Sequence, residues 1–135
     1  MVPPPPDLNL VERKVAAATG LSISSFDALR HLGATDSLLT MAALANLGLH
    51  SRTRVSRVVD ELARAGLVSR QPNPEDGRSS FVTLTALGRT ALKKAEHLYR
   101  TTVDEEFSAH LSPSNLENLF VALDALQSSL KYSSH

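Results

Sequence analysis

The chain concentrates hydrogen-bond donors in one short segment, residues 51–57. The segment holds three arginines and three hydroxyl residues, namely Ser51, Arg52, Thr53, Arg54, Ser56 and Arg57. A guanidinium donates two parallel hydrogen bonds to a guanine edge or to a phosphate, and serine or threonine hydroxyls bond either group more weakly. These residue types therefore point to a polyanionic partner such as DNA. A basic helix face that meets only solvent is the alternative explanation.

The spacing of apolar residues predicts that this segment begins a helix with one buried face. Five apolar residues repeat at i, i+3, i+4, i+7 and i+8: Val55, Val58, Val59, Leu62 and Ala63. Ser51 suits the N-cap, because its hydroxyl can accept a hydrogen bond from a free amide of the first turn. Gly66 suits the left-handed position that ends a helix. The donors fall largely outside the apolar face, so the helix is predicted to expose them.

Two extended segments are predicted to follow this helix and to pair as a β-ribbon. The prolines within residues 72–74 exclude a helix, and residues 80–84 are rich in β-branched and aromatic side chains. Asp76-Gly77 is a turn signal between the two segments. Arg78 is therefore predicted near the ribbon tip, where it can enter a narrow minor groove and pair with Asp76. An ordinary hairpin tip with solvated charges is the alternative.

The other helices are predicted from their capping residues and apolar stripes. Predicted caps are Asp7, Ser22 or Ser24, Thr40, Thr85 and Ser112. Residues 36–39 form a short link that can add a third strand to the ribbon. Residues 1–6 are predicted to be an exposed, proline-rich tail. The last helix is apolar enough to pack against the first helix, in the same chain or in a second copy.

The positive charge lies where the donors lie, although the formal net charge of the 135 residues is zero. Residues 50–89 hold seven arginines against four acids, which is +3, while the segments before and after carry −1 and −2. Such a local excess is typical of a DNA footprint. The absence of cysteine excludes disulfides and a thiol switch. With no apolar run of membrane-spanning length and no signal peptide, the chain is predicted to be cytoplasmic.

The segment from Thr40 to Thr85 and its flanks contain five characteristic runs, which are Leu39-Thr40 with Leu44-Ala45, Arg54 to Leu62, Gly66 to Arg70, Pro72 to Arg78 and Val82 to Gly88. In these runs the segment resembles the MarR family of bacterial transcription regulators. The resemblance implies a mainly α fold with a small β-ribbon (α+β), in which N- and C-terminal dimerisation helices flank a winged helix-turn-helix. On this interpretation residues 7–33 are N-terminal helices, 34–88 the DNA-binding lobe and 89–135 the C-terminal helices.

The resemblance also implies a function and its residues. A homodimeric regulator, taken as a repressor, would bind a pseudo-palindromic operator in double-stranded DNA. Its expected DNA-binding residues are Thr40, Ser51, Arg52, Thr53, Arg54, Ser56, Arg57, Asp76 and Arg78. A small aromatic or anionic effector would sit among Phe26, Arg30, Leu32 and Leu47, for which plain core packing is the alternative. The rival function is a winged-helix protein-interaction module without DNA affinity.

No pattern of residues predicts catalysis, a metal or a cofactor. The five histidines are scattered, and the chain has no HExxH, Walker or glycine-rich dinucleotide motif. Glu106 and His110 are four residues apart and could share a metal, but solvated or capping roles are the preferred interpretation. The chain is therefore predicted not to be an enzyme.

Overall fold

The structure, a computed structural model, describes residues 4–35, 38–48 and 51–133. Among the side chains, those of residues 76, 78, 123, 124 and 126–133 lie outside this description. The elements follow in the order α1 (Leu8–Thr19), α2 (Ile23–Gly33), β1 (Leu39–Thr40), α3 (Met41–Gly48), α4 (Arg52–Arg64), β2 (Val68–Asn73), β3 (Asp76–Leu84), α5 (Ala86–Phe107) and α6 (Pro113–Ser133). The predicted fold class, mainly α with a small β-ribbon, is confirmed.

The helix starts predicted from the sequence are confirmed by side-chain caps. Each capping oxygen accepts a hydrogen bond from the amide three residues later, at 3.0–3.2 Å: Asp7, Ser22, Thr40, Ser51, Thr85 and Ser112. Of the two serines proposed for α2, Ser22 is the cap. These bonds satisfy amides that have no partner within the helix, so each helix begins at a residue set by local sequence.

The three strands form one antiparallel sheet in the order β1-β3-β2. The predicted third strand is confirmed at Leu39–Thr40, which pairs with Phe81 and Val82 of β3. Residues 36 and 37 of the same predicted link lie outside the described residues. The expected turn at Asp76-Gly77 is wrong, because these two residues already belong to β3 and the turn lies at Pro74 and Glu75.

Asn73 accounts for this earlier turn. Its Oδ1 accepts from the Glu75 amide at 3.0 Å, and its Nδ2 donates to Ser79 Oγ at 3.0 Å. An asparagine that bonds the backbone two residues on mimics a turn, so it fixes the reversal directly after itself. The register then shifts: Asn73 pairs with Asp76 but Pro72 pairs with Ser80. Residues 77–79 therefore form a β-bulge at the end of the ribbon.

The end of α4 is fixed by backbone hydrogen bonds. Gly66 has a φ of 76°, and its amide donates to Ala63, while the Leu67 amide donates to Leu62. This is the Schellman pattern, which needs a residue that tolerates positive φ. Thr85 then donates its hydroxyl to the Gly66 carbonyl at 2.6 Å. The cap of α5 is thus bonded to the end of α4, so the two helices hold a fixed relative position.

Two apolar clusters hold the elements together. The larger cluster joins α2, α3, α4, the sheet and the first half of α5 around Phe26, Leu29, Val59 and Val82, which are almost fully buried. The smaller cluster joins α1, α5 and α6. Its buried members are Val11, Val103, Leu116 and Phe120. The last helix therefore shares an apolar cluster with the first helix within one chain, in agreement with one of the two arrangements predicted.

Candidate nucleic-acid interface

The exposed face of α4 brings together most of the predicted donors. Arg52, Thr53, Ser56 and Arg57 line a shallow open groove with Asp60. All five are exposed. The opposite face carries Val55, Val58, Val59 and Leu62, all buried in the larger cluster. Because the apolar face is fully engaged, the orientation of the helix is set and the donor face must point to solvent.

Arg54 does not share that face. Its guanidinium turns towards α2, where Nε and Nη2 donate to Ser24 Oγ at 3.2 and 2.8 Å. Each residue of a helix is rotated by about 100° from its neighbour, so Arg54 lies on the flank of the buried stripe that faces α2. The sequence pattern grouped Arg54 with the other donors because it distinguished only buried from exposed positions.

The structure adds Arg70, which the sequence analysis did not assign to the site. Arg70 Nη2 lies 2.6 Å from Asp60 Oδ1, so an ion pair joins strand β2 to helix α4. A signal for this pair exists in the sequence. Arg70 is two residues after buried Val68, and alternate residues of a strand share one face. Arg70 therefore lies on the face of β2 that packs against α4.

The remaining predicted DNA residues lie at element boundaries. Thr40 and Ser51 are the caps of α3 and α4, so their hydroxyl oxygens already accept backbone amides. The backbone of residues 77–79 places Arg78 in the bulge of the ribbon. The side chains of Asp76 and Arg78 fall outside the described residues, and so does the pairing predicted between them.

In the part of the chain that the structure describes, the four residues expected around an effector differ in their surroundings. Phe26 and Leu32 are buried in the larger core, and Leu47 is half-buried on α3. Arg30 lies with its Cζ 5.6 Å from the centre of the Phe26 ring. It also lines an open cleft of about 390 Å³ between α2, the end of β3 and α5. That cleft carries further charges from Asp27, Arg89, Lys93 and Glu96.

Glu106 and His110, the pair considered for a metal, instead form hydrogen bonds with the N-terminal segment. Glu106 Oε2 accepts from the Asp7 amide at 3.2 Å, and His110 Nε2 lies 2.7 Å from the Pro4 carbonyl oxygen. Within the described ranges no group of three or more histidines and acids has the arrangement of a metal site. In the same ranges no helix combines the length and the apolar character that crossing a membrane requires.

A helix-turn-helix whose second helix exposes arginines, followed by a two-stranded ribbon that pairs with a short strand before the first helix, defines a winged helix-turn-helix protein. The sequence pattern of the MarR family matches residues 19–79, from the last residue of α1 into strand β3 of the wing. Solved MarR-family regulators share the fold over most of the described chain. The resemblance drawn from the sequence is thus confirmed: residues 19–79 match the MarR family, and the chain has the fold of MarR-family regulators.

Three solved structures illustrate the likeness. The transcriptional regulator BldR from Sulfolobus solfataricus is 26% identical, with 90% of this chain and 84% of that chain covered and a TM-score of 0.72. Sco3205 from Streptomyces coelicolor, a MarR family transcriptional regulator in complex with DNA, is 24% identical, with 87% and 74% covered and a TM-score of 0.71. CouR from Rhodococcus jostii RHA1, bound to p-coumaroyl-CoA, is 24% identical, with 91% and 82% covered and a TM-score of 0.70. A comparison with curated proteins gave no match.

Proposed function

We propose that this protein is a sequence-specific, double-stranded DNA-binding transcription regulator that represses from a pseudo-palindromic operator. The observation that carries the proposal is the exposed face of α4, where Arg52, Thr53, Ser56 and Arg57 stand clear of the core. Two guanidiniums and two hydroxyls on the first turns of a recognition helix suit base edges and flanking phosphates. The fold shared with Sco3205, which was solved with DNA, supports it. The protein acts without catalysis, in the cytoplasm.

Further contacts come from the wing and the helix caps. Arg78 belongs to the bulge at the end of the ribbon, from which an arginine can reach the minor groove beside the major-groove helix. Asp76 is proposed to steady it. Thr40 and Ser51 stand at the N-termini of α3 and α4, where backbone amides and hydroxyls can bind phosphate oxygens.

The active form is proposed to be a homodimer built on the terminal helices. Two exposed apolar side chains support this: Leu8 of α1 and Val121 of α6. Both lie on helices whose buried residues form the smaller apolar cluster. A two-fold dimer places two recognition helices on half-sites about one turn of DNA apart.

A small aromatic or anionic effector is proposed to release the DNA. Arg30, an expected effector residue that lines an open cleft, would receive the anion beside Arg89 and Lys93. The cleft joins α2 to α5 and the end of the wing strand, so a ligand there can favour one arrangement of the lobe over another. CouR, which shares the fold, was solved with an acyl-CoA ligand.

Gel shifts with fragmented genomic DNA at two salt concentrations test the DNA-binding function. The wild-type chain is expected to shift a subset of fragments and to lose affinity steeply as salt rises. The double variant Arg52→Ala/Arg57→Ala is expected to abolish the shift. Arg64→Ala, which removes a charge from the exposed last turn of the same helix, is the matched control and should retain it. A wild-type chain that binds no fragment, but binds a protein, would establish the rival interaction module.

A further inference from the structure

We propose that Ser24 of α2 is a positioning residue for DNA binding, which holds the Arg54 guanidinium ready for a backbone phosphate at the edge of the major groove. The inference rests on the proposed DNA-binding function. It extends the interface beyond the helix-turn-helix and the wing to the first turn of α2, which neither the sequence pattern nor the likeness to other regulators assigns to DNA.

Two guanidinium nitrogens of Arg54 share one acceptor, the hydroxyl oxygen of Ser24. Arg54 Nε and Nη2 both donate to Ser24 Oγ, at 3.2 and 2.8 Å, across 30 residues of sequence. A hydroxyl oxygen has two acceptor positions, and Arg54 occupies both. Ser24 is only 6% exposed, whereas Arg54 is exposed. A fixed, buried acceptor therefore restrains a solvent-facing cation.

The restraint leaves the charge of Arg54 available. A guanidinium has five N–H donors, and two of them bond Ser24, which leaves three. The hydrogen-bond partner shown for Arg54 is an uncharged hydroxyl, and the Asp27 carboxylate also lines the pocket that Ser24 and Arg54 share. Arg70 offers the contrast, because Asp60 neutralises it at 2.6 Å. A serine orients a cation without cancelling its charge, which suits an arginine whose partner arrives from outside the chain.

The position on the helix favours a phosphate over a base. Thr53, Ser56 and Arg57 occupy the face opposite the buried stripe, which would point into the groove. Arg54 lies beside the stripe, on the flank next to α2. Side chains at the flank of a recognition helix approach the sugar-phosphate backbone, and phosphate oxygens accept two parallel bonds from a guanidinium. Because Ser24 already limits the rotamers of Arg54, less side-chain freedom is lost on binding.

A double-mutant cycle on the full-length protein tests the proposal with operator DNA selected from the genomic fragments. Arg54→Ala is expected to weaken binding by roughly tenfold or more, as removal of a charge-assisted bond would. It should also lower the slope of log affinity against log salt by about 0.9 for each phosphate that is no longer neutralised. Ser24→Ala is expected to weaken binding by roughly two- to tenfold, the cost of ordering one side chain. Ser24→Thr, which keeps the hydroxyl, should restore affinity.

The decisive measurement is Ser24→Ala in the Arg54→Ala background, where it should have no further effect. Matched controls are Ser25→Ala, which removes a neighbouring hydroxyl bonded to Ser22, and Arg64→Ala, which removes an equal charge. An equal loss of affinity from Ser24→Ala in both backgrounds would show a merely structural role and overturn the proposal. Unchanged or tighter DNA binding by Ser24→Ala would also overturn the proposal. A wild-type chain that binds no DNA would instead refute the proposed function itself.

Discussion

Arg70 of strand β2 and Asp60 of helix α4 form an ion pair, with Nη2 and Oδ1 2.6 Å apart. Asp60 lies in the groove formed by Arg52, Thr53, Ser56 and Arg57. The pair therefore joins the wing to the recognition helix at the surface proposed to meet DNA. It also neutralises an acid that would otherwise repel phosphates.

Removal of the Asp60 carboxylate should change the ratio of operator to non-specific affinity more than it changes the free energy of unfolding. In Asp60→Ala, Arg70 is released and the face gains positive charge, so binding to non-specific DNA should tighten at low salt. The ratio of operator to non-specific affinity should fall, because the wing is no longer tied to α4. The free energy of unfolding should change by less than about 1 kcal/mol, since the two side chains are 50% and 37% exposed.

Affinities for operator and random duplex, measured by fluorescence anisotropy, check this ratio. Glu61→Ala is the control, because Glu61 is the adjacent exposed acid of α4 and is not part of the groove. Equal discrimination ratios in the two variants would contradict the role given to the ion pair.

The wing should bind one phosphate or one minor-groove site per subunit through Arg78. Arg78→Ala is expected to weaken operator binding and to lower the salt slope by about 0.9 for each phosphate that Arg78 neutralises in the wild type. Lys94→Ala removes the same charge from an exposed position of α5, outside both the ribbon and the cleft, and should leave the slope unchanged. Titrations at several salt concentrations give both slopes. If the slope of Arg78→Ala equals that of the wild type, the wing does not touch DNA.

Local sequence was sufficient to predict where the helices begin and where α4 ends. Ser51, Thr85 and Gly66 act through bonds to residues a few positions away, so their roles can be inferred without knowledge of the tertiary fold. The apolar stripe of α4 likewise predicted its buried face. The turn of the wing was misplaced because Asp76-Gly77 is a common turn pair, while the side chain of Asn73 set the reversal earlier.

Contacts between elements were harder to predict. Arg54 bonds Ser24, 30 residues away, and the direction of its side chain depends on how α2 crosses α4. Arg70 meets Asp60 only because the Schellman turn sends β2 back along α4. Hydrophobic periodicity gives the angle of a side chain about its own helix and contains no information on the neighbouring helix. For Phe26 the sequence left core packing and an effector pocket as alternatives, and the structure places the side chain in the core.

The proposed homodimer predicts that a charge on the outer side of α6 will separate the subunits. Val121 is 60% exposed on that helix, so Val121→Lys would put an ammonium group into an apolar interface. Leu87→Lys is the matched control, because Leu87 is 58% exposed but lies at the start of α5, beside the end of α4. Sedimentation velocity should show dissociation towards monomer for Val121→Lys alone. Identical sedimentation of both variants and the wild type would exclude α6 from the interface at this position.

The junction between α4 and α5 should be the least tolerant of added volume. A Cβ built on Gly88 would meet the carbonyl oxygen of Leu67 directly and would lie 2.9 Å from its carbonyl carbon. That carbonyl cannot move aside, since it accepts from the Thr85 amide at 3.1 Å, and the Leu67 amide is bonded to Leu62 at 2.9 Å.

Gly88→Ala is therefore expected to lower the free energy of unfolding by about 1–3 kcal/mol, although alanine favours helices. Gly77→Ala is the control: a Cβ there meets nothing within 4 Å, and Gly77 has no positive φ, so its effect should stay within about 0.5 kcal/mol. Urea unfolding followed by circular dichroism measures both variants. Since the same junction fixes α4 relative to α5, Gly88→Ala should also weaken operator binding at temperatures where it remains folded. A variant of wild-type stability would mean that the Thr85–Leu67 contact does not hold the two helices rigidly.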